Sequence, residues 1–136
     1  MNARSRLSLV FAGGCLGGLV NSLAVWLLGW TGITGALGVQ IAPQLSRAWL
    51  YPRIVWGGLW GLLFLLPIRL DRFWRGLLLS LGPTLGQLLV VFPFQAHRGW
   101  LGLQLGALTP LFVVLFNAVW GWTTALWVPA WTDGDA

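Results

Sequence analysis

The segment WLYPRIVWGGLWGLLFLLP at residues 49–67 combines the length of a membrane span with a charged side chain inside it. As an α-helix, its nineteen residues would extend roughly 28 Å, close to the thickness of the hydrocarbon core of a bilayer. Spacings of four and three residues place Trp49, Arg53 and Trp56 on one helix face. One indole precedes the guanidinium by a turn and another follows it. The pattern therefore predicts a cation–π contact on each side of Arg53.

The whole chain has the composition of an integral membrane protein. Its 136 residues are 57% hydrophobic and 8% charged, and its mean hydropathy is +0.79, unlike a soluble domain of this size. The net charge of +5 comes from arginines that are spread along the chain, so no contiguous basic face is expected. We therefore expect no nucleic-acid partner, and we interpret the arginines as topology-setting charge near a lipid bilayer.

The alternation of apolar runs with polar interruptions predicts one all-α membrane domain, residues 1–136, that spans the membrane several times. The predicted spans are about residues 7–30, 49–68, 76–94 and 104–128. We interpret the first run as an uncleaved helix and not a signal peptide, because it continues well beyond Cys15. The expected fold is an all-α integral membrane protein, a four-transmembrane-helix bundle that could be arranged as two helical hairpins.

Residues 31–48 are expected to form an external loop between the first two spans. This stretch contains several glycines, Pro43 and polar side chains, which interrupt a span. It also keeps apolar residues such as Val39 and Ile41, so it is too apolar for a freely solvated linker. A short interfacial helix and a shallow re-entrant segment are both compatible with it.

The distribution of arginines predicts the orientation of the protein in the membrane. With four spans, one side carries five arginines: Arg4, Arg6, Arg69, Arg72 and Arg75. The other side carries Arg47, Arg53 and Arg98. The positive-inside rule then places both termini of this multi-pass chain in the cytoplasm. Because the margin is narrow, insertion in both orientations remains an alternative.

Small residues predict where helices approach one another closely. The first span has two overlapping pairs of glycines four residues apart, and the second has a similar group. We expect the first two spans to pack tightly through these positions: Gly13, Gly14, Gly17 and Gly18 facing Gly57, Gly58 and Gly61.

Three amide side chains lie near the middle of three different spans. They are Asn21, Gln87 and Asn117, with Arg53 nearer the outside. One interpretation is that they form hydrogen bonds that hold the helices together. The other is that they line a polar or anion-binding site whose mouth carries Arg53. Arg53 also has a simpler alternative, an interface anchor whose guanidinium snorkels outward.

The residues that most enzymes and cofactor proteins need are scarce in this sequence. The one histidine, His97, falls in a predicted loop, and the three aspartates lie outside the apolar runs. A nucleophile–base pair, a carboxylate pair and a set of metal ligands are therefore not expected within the spans. We predict that the protein is not an enzyme and holds no cofactor or metal, and proton-coupled transport is disfavoured for the same reason.

Tryptophan is abundant, with eleven residues placed both at predicted span boundaries and inside the spans. Those at the boundaries are typical of the aromatic belts of membrane proteins. The inner ones are Trp26, Trp56, Trp60, Trp120 and Trp122, and we interpret them as packing residues and not as a ligand cage.

Four stretches of the chain resemble an uncharacterised group of small four-span bacterial inner-membrane proteins. They are GGLVNSLAVW at 17–26, WLYPRIVWGGLWG at 49–61, PTLGQLLVVFP at 83–93 and FNAVWG at 116–121. The resemblance implies a location in a bacterial inner (plasma) membrane and no activity. We therefore predict a non-catalytic structural or accessory component, either a homo-oligomer or part of a larger membrane complex. The alternative function is a small channel or transporter for a polar or anionic solute.

Overall fold

The computed structural model describes residues 2–131, and the regular structure in this part of the chain is entirely helical. The α-helices are α1 (Ala3–Trp30), α2 (Ile33–Ala36), α3 (Arg47–Trp60), α4 (Arg72–Leu79), α5 (Leu81–Gly86) and α6 (Thr109–Trp127). Two 3₁₀ segments, Gly61–Leu65 and Trp100–Leu105, and a π-helical segment, Gln87–Gln95, complete the fold.

Three helical stretches are long and apolar enough to cross a membrane. They are Ala3–Trp30, Arg72–Gln95 and Thr109–Trp127. Large apolar side chains also cover their outer surfaces, among them Leu85, Leu111 and Leu126. An apolar surface spread over several helices is typical of contact with lipid. The prediction of an all-α protein with helices suited to a membrane is confirmed at this level.

The second predicted span is the exception, because α3 alone has fourteen residues. It begins where the Ser46 hydroxyl oxygen accepts a hydrogen bond from the Trp49 backbone N–H at 3.2 Å. From Gly61 the chain continues without a break as the 3₁₀ segment Gly61–Leu65. It then stops at Leu66, which adopts the extended conformation that a following proline, Pro67, favours.

The predicted fourth span begins later than the sequence indicated. Gly106, near the start of the predicted span at about residue 104, has a φ of +149°, which an α-helix cannot accommodate, and α6 starts only at Thr109. Residues 101–108 are almost as apolar as the span that follows, so composition alone did not separate the two. The apolar stretch instead forms the 3₁₀ segment Trp100–Leu105 at one end of the helices.

The two glycine stripes of α1 face two different helices. Gly14 and Gly18 lie against α3, where a Cβ on Gly14 would be 2.9 Å from Gly61 Cα and one on Gly18 would be 2.8 Å from the Arg53 carbonyl oxygen. Gly57 belongs to the same contact, since a Cβ there would be 2.9 Å from Gly18 Cα. This is the close approach that small residues permit.

Gly13 and Gly17, also predicted to face the second span, lie instead against α6. A Cβ on Gly17 would be 2.6 Å from the Thr124 hydroxyl oxygen, and one on Gly13 would be 2.9 Å from Val128 Cγ2. The reason is geometric, because adjacent helical residues project about 100° apart and the two stripes therefore cannot face one partner. Gly58 also lies against α1, where its nearest neighbours are the side chains of Phe11 and Cys15.

Trp120 joins α1, α3 and α6 at this crossing. Its indole Nε1 lies 3.2 Å from the carbonyl oxygens of both Gly14 and Gly57, and only 3% of the residue is exposed. The buried indole thus fills space and donates to carbonyl groups that the absence of side chains leaves accessible. A second glycine contact, between Gly76 of α4 and Gly121 of α6, joins the helical stretch Arg72–Gln95 to α6.

Arg75, one of the arginines interpreted as topology-setting charge, is buried against α6. It is 3% exposed, and its Nη2 donates to the carbonyl oxygens of Val128 and Ala125 at the carboxyl end of α6. Those carbonyls have no partner within the helix, and the negative end of the helix dipole favours a cation there. Asp71 caps α4, and Arg75 lies one turn later on the side of α4 that contacts α6.

The connections of the chain gather at two opposite ends of the helices. At one end the Gln40 backbone N–H donates to the Leu105 carbonyl oxygen at 2.8 Å, which links the segment after α2 to the 3₁₀ segment before α6. At the other end the Trp131 indole donates to the Phe64 carbonyl oxygen at 2.6 Å, and the Arg6 guanidinium lies 4.8 Å from the Trp131 ring. The candidate site lies near the first of these ends.

Candidate functional site

A cavity of about 390 Å³ lies between α1, α3, α6 and the π-helical segment. Its polar lining residues are Asn21, Gln40, Arg53, Gln87 and Asn117. Its apolar lining residues are Val25, Ile41, Ala42, Pro43, Trp49, Phe92, Val113 and Phe116. The four side chains that the sequence singled out as a polar site therefore line one space, together with a fifth, Gln40, that the sequence analysis did not select.

Two neighbouring polar residues of α1 position the Arg53 guanidinium. Arg53 Nε donates to the Ser22 hydroxyl at 2.9 Å, and Nη2 donates to Asn21 Oδ1 at 2.8 Å. Asn21 in turn donates through Nδ2 to the Phe116 carbonyl oxygen of α6 at 2.6 Å. The guanidinium therefore turns inward between the helices, and it does not extend outward as a snorkelling side chain would.

Trp49 stacks on Arg53, whereas Trp56 does not. The guanidinium carbon lies 4.7 Å from the centre of the Trp49 ring, within the range of a cation–π contact. Trp56 is 61% exposed and faces away from the site, so only one of the two predicted stacks forms. Helical side chains lean toward the amino end of their helix, which brings Arg53 over the preceding turn and away from the following one.

The other two predicted residues meet through a second set of hydrogen bonds. Asn117 Nδ2 lies 3.2 Å from the Thr84 hydroxyl and 3.4 Å from Gln87 Oε1. These bonds join α6 to the helical stretch Arg72–Gln95, as expected if the amide side chains hold the helices together. Gln87 also begins the π-helical segment Gln87–Gln95, and such widened turns are frequent at functional sites.

Residues 40–43 form the part of the lining that the sequence left as an unassigned loop. The Thr34 hydroxyl donates to the Ile41 carbonyl oxygen at 2.9 Å, and the Gln40 backbone N–H donates to Leu105, so hydrogen bonds hold the first two residues of this short segment. The available signal was the apolar character of Val39 and Ile41 in a stretch otherwise rich in glycine and polar residues. Val39 is in fact 1% exposed.

Arg53, Gln87 and Asn117 each have one polar side-chain atom that has no hydrogen-bond partner among residues 2–131 and is not fully buried. These atoms are Arg53 Nη1, Gln87 Nε2 and Asn117 Oδ1. The acid of this part of the chain, Asp71, caps α4 and follows Leu65, the end of the 3₁₀ segment, which helical rise places about 20 Å from Arg53. The guanidinium is thus bonded only to neutral oxygen atoms within the described residues.

The described residues contain no group of three histidine, cysteine or acidic side chains that could hold a metal ion. The arrangement around Arg53 therefore offers hydrogen bonding and positive charge as its chemistry. Its donors are oriented by Ser22, Asn21 and Trp49, which is the preorganisation that binding sites require.

Comparison with protein families found no matching family model, and comparisons with curated proteins and with solved structures found no significant match. The resemblance to small four-span bacterial proteins therefore stays a prediction. The residues that line the cavity are therefore the basis for inferring a function.

Proposed function

We propose that this chain is an integral membrane protein that crosses the bilayer four times and binds a small anionic solute in the cavity beside Arg53. The observation that carries the proposal is the inward-facing guanidinium, whose described partners are all neutral. A cation within a membrane bundle is costly unless a counter-charge or a polar cavity compensates it. An anion bound in the cavity would supply that charge, in a channel or transporter for such a solute.

The structural or accessory role predicted from the sequence is the competing function. The bonds among Asn117, Thr84 and Gln87 are what a structural role needs, because they join helices. They do not account for Arg53, whose described partners are all neutral. The cavity beside it is also larger than the hydrogen bonds of the guanidinium require. This difference favours the anion-binding function.

The four-span arrangement has two supports in the fold. α3 and the continuous 3₁₀ segment Gly61–Leu65 together comprise nineteen residues and extend about 31 Å, which is enough for a span. The contact of Gln40 with Leu105 at one end and of Trp131 with Phe64 at the other is what four alternating spans would produce.

Topology is tested with reporter fusions. A reporter fused after Gln95 and one fused at the carboxyl end should lie on opposite sides of the bacterial inner membrane, with both termini cytoplasmic. The arginines at the end that contains Arg6 and Arg72 provide the physical reason. Reporters that agree with each other would contradict the four-span arrangement. Equal signals from both sides at each position would indicate insertion in both orientations.

Anion binding is tested on the protein in nanodiscs of zwitterionic lipid. Calorimetric titration with chloride, inorganic phosphate, acetate and benzoate should show saturable binding of at least one of them. Arg53→Gln should weaken that binding at least about tenfold, because the charge-assisted donors are lost. Arg47→Gln is the matched control, since Arg47 is an exposed arginine of the same helix.

Two results would contradict the proposed function. One is the absence of any saturable anion binding. The other is binding that Arg53→Gln leaves unchanged. Co-purification of a stoichiometric foreign membrane protein together with either result would favour the structural or accessory role instead.

A further inference from the structure

The cavity's shape and chemistry restrict the class of anion, an inference that rests on the proposed function. We infer that the occupant is a carboxylate attached to a compact apolar body. Its two oxygens would bind the free edge of the Arg53 guanidinium. Its apolar body would lie against the side chains that α1, α6 and the π-helical segment contribute.

One edge of the Arg53 guanidinium remains free. Nε and Nη2 point to one side of the group, and that side is occupied by Ser22 and Asn21. Nη1 and the second hydrogen of Nη2 form the end of the group, and Nη1 has no partner among the described residues and is not fully buried. Two parallel N–H donors match the two oxygens of a planar carboxylate, which a spherical halide does not exploit.

Trp49 and Gln87 restrict how a ligand can reach this edge. Trp49 covers a face of the guanidinium at 4.7 Å, so a ligand is favoured in the plane of the group. The Gln87 side-chain oxygen Oε1 accepts from Asn117 Nδ2 at 3.4 Å, which leaves the Gln87 side-chain Nε2 free to donate. A guanidinium edge and a neutral N–H donor both suit an oxyanion, and both belong to residues that line the same cavity.

The cavity beside Arg53 is large and mostly apolar. A cavity of about 390 Å³ corresponds to roughly a dozen water molecules, far more than an inorganic anion occupies. Most of its lining residues are apolar, among them Val25, Phe92, Val113 and Phe116. An inorganic ion would leave these side chains without contact, whereas an apolar body would bury them.

Benzoate and benzamide separate these possibilities, because they share a shape and differ in charge. In nanodiscs of zwitterionic lipid, benzoate should bind at least about tenfold more tightly than benzamide. It should also bind at least about tenfold more tightly than acetate, which has a carboxylate but no sizeable apolar body. Ile41→Phe, which narrows the apolar part of the cavity, should weaken benzoate more than acetate.

A second pair of variants keeps the test valid where Arg53→Gln lowers the yield of folded protein. Gln87→Leu should weaken benzoate binding several-fold. Gln95→Leu, at the exposed end of the same π-helical segment, should leave it unchanged. Equal benzoate affinity in the wild-type protein and Gln87→Leu would overturn the placement of the carboxylate.

The outcomes distinguish this inference from the proposed function. If chloride or phosphate binds in an Arg53-dependent way and benzoate does not, the carboxylate class is wrong and the proposed function stands. If benzoate and benzamide bind equally, the cavity recognises apolar shape and the inference is overturned. If no anion depends on Arg53, both the inference and the proposed function fail.

Discussion

Replacing Gly14 with alanine should lower the free energy of unfolding by about 3 kcal/mol or more. A methyl group at this position would meet the Gly57 carbonyl oxygen and lie 2.9 Å from Gly61 Cα and 3.0 Å from Gly58 Cα. All three contacts are with backbone, which has no rotamer to adjust, so α1 and α3 would have to separate. The separation would also disturb the carbonyl groups that Trp120 binds. Unfolding in mild detergent, followed by circular dichroism, measures the loss.

Gly35→Ala is the matched control for this prediction. Gly35 lies in α2, where an added Cβ would have no atom within 4 Å, and alanine has the higher helix propensity. Gly102 is unsuitable as a neutral comparison, because its φ of +69° disfavours any side chain. Similar stabilities for Gly14→Ala and Gly35→Ala would show that the contact between α1 and α3 is not close-packed.

The second large effect is expected at Arg53, where lysine should not replace arginine. A lysine ammonium cannot bond Ser22 and Asn21 along one edge, stack on Trp49 and still present two parallel donors to a ligand. We expect Arg53→Lys to weaken anion binding about tenfold and to lower the free energy of unfolding by about 2 kcal/mol. Calorimetric titration and detergent unfolding of the same preparation measure the two effects.

Arg47→Lys serves as the control, because Arg47 is exposed at the start of the same helix and the structure gives its side chain no role in the cavity. It should match the wild-type protein in both measurements. The site hypothesis is refuted if Arg53→Lys also matches the wild-type protein in both while Arg53→Ala loses only stability. Arg53 would then be an anchor whose positive charge alone matters.

The residues that meet in the cavity were predictable from their depth along the spans. Asn21, Gln87 and Asn117 lie near the middle of three apolar runs, and polar side chains surrounded by apolar sequence must find partners in one another. Depth is a local property, since it depends only on the number of residues from the end of a helix. The same count placed Arg53 nearer the outside, at the mouth of the predicted site.

The direction in which these side chains turn was not predictable in the same way. Trp49 and Trp56 are nearly equivalent neighbours of Arg53 in the sequence, yet only Trp49 stacks on it. The choice follows from the lean of helical side chains and from the acceptors that Ser22 and Asn21 present. Those acceptors belong to another helix, thirty residues or more away.

The sequence by itself determined the helical class, the membrane-suited composition and the polar residues at mid-span, because each follows from composition and local spacing. Only the tertiary structure decided that Gly17 faces α6, that Arg75 caps the end of that helix, and that residues 40–43 line the cavity. These features depend on the rotation of one helix against another and on the path of a connection. Both are set by long-range packing of the whole set of helices, and no local pattern records them.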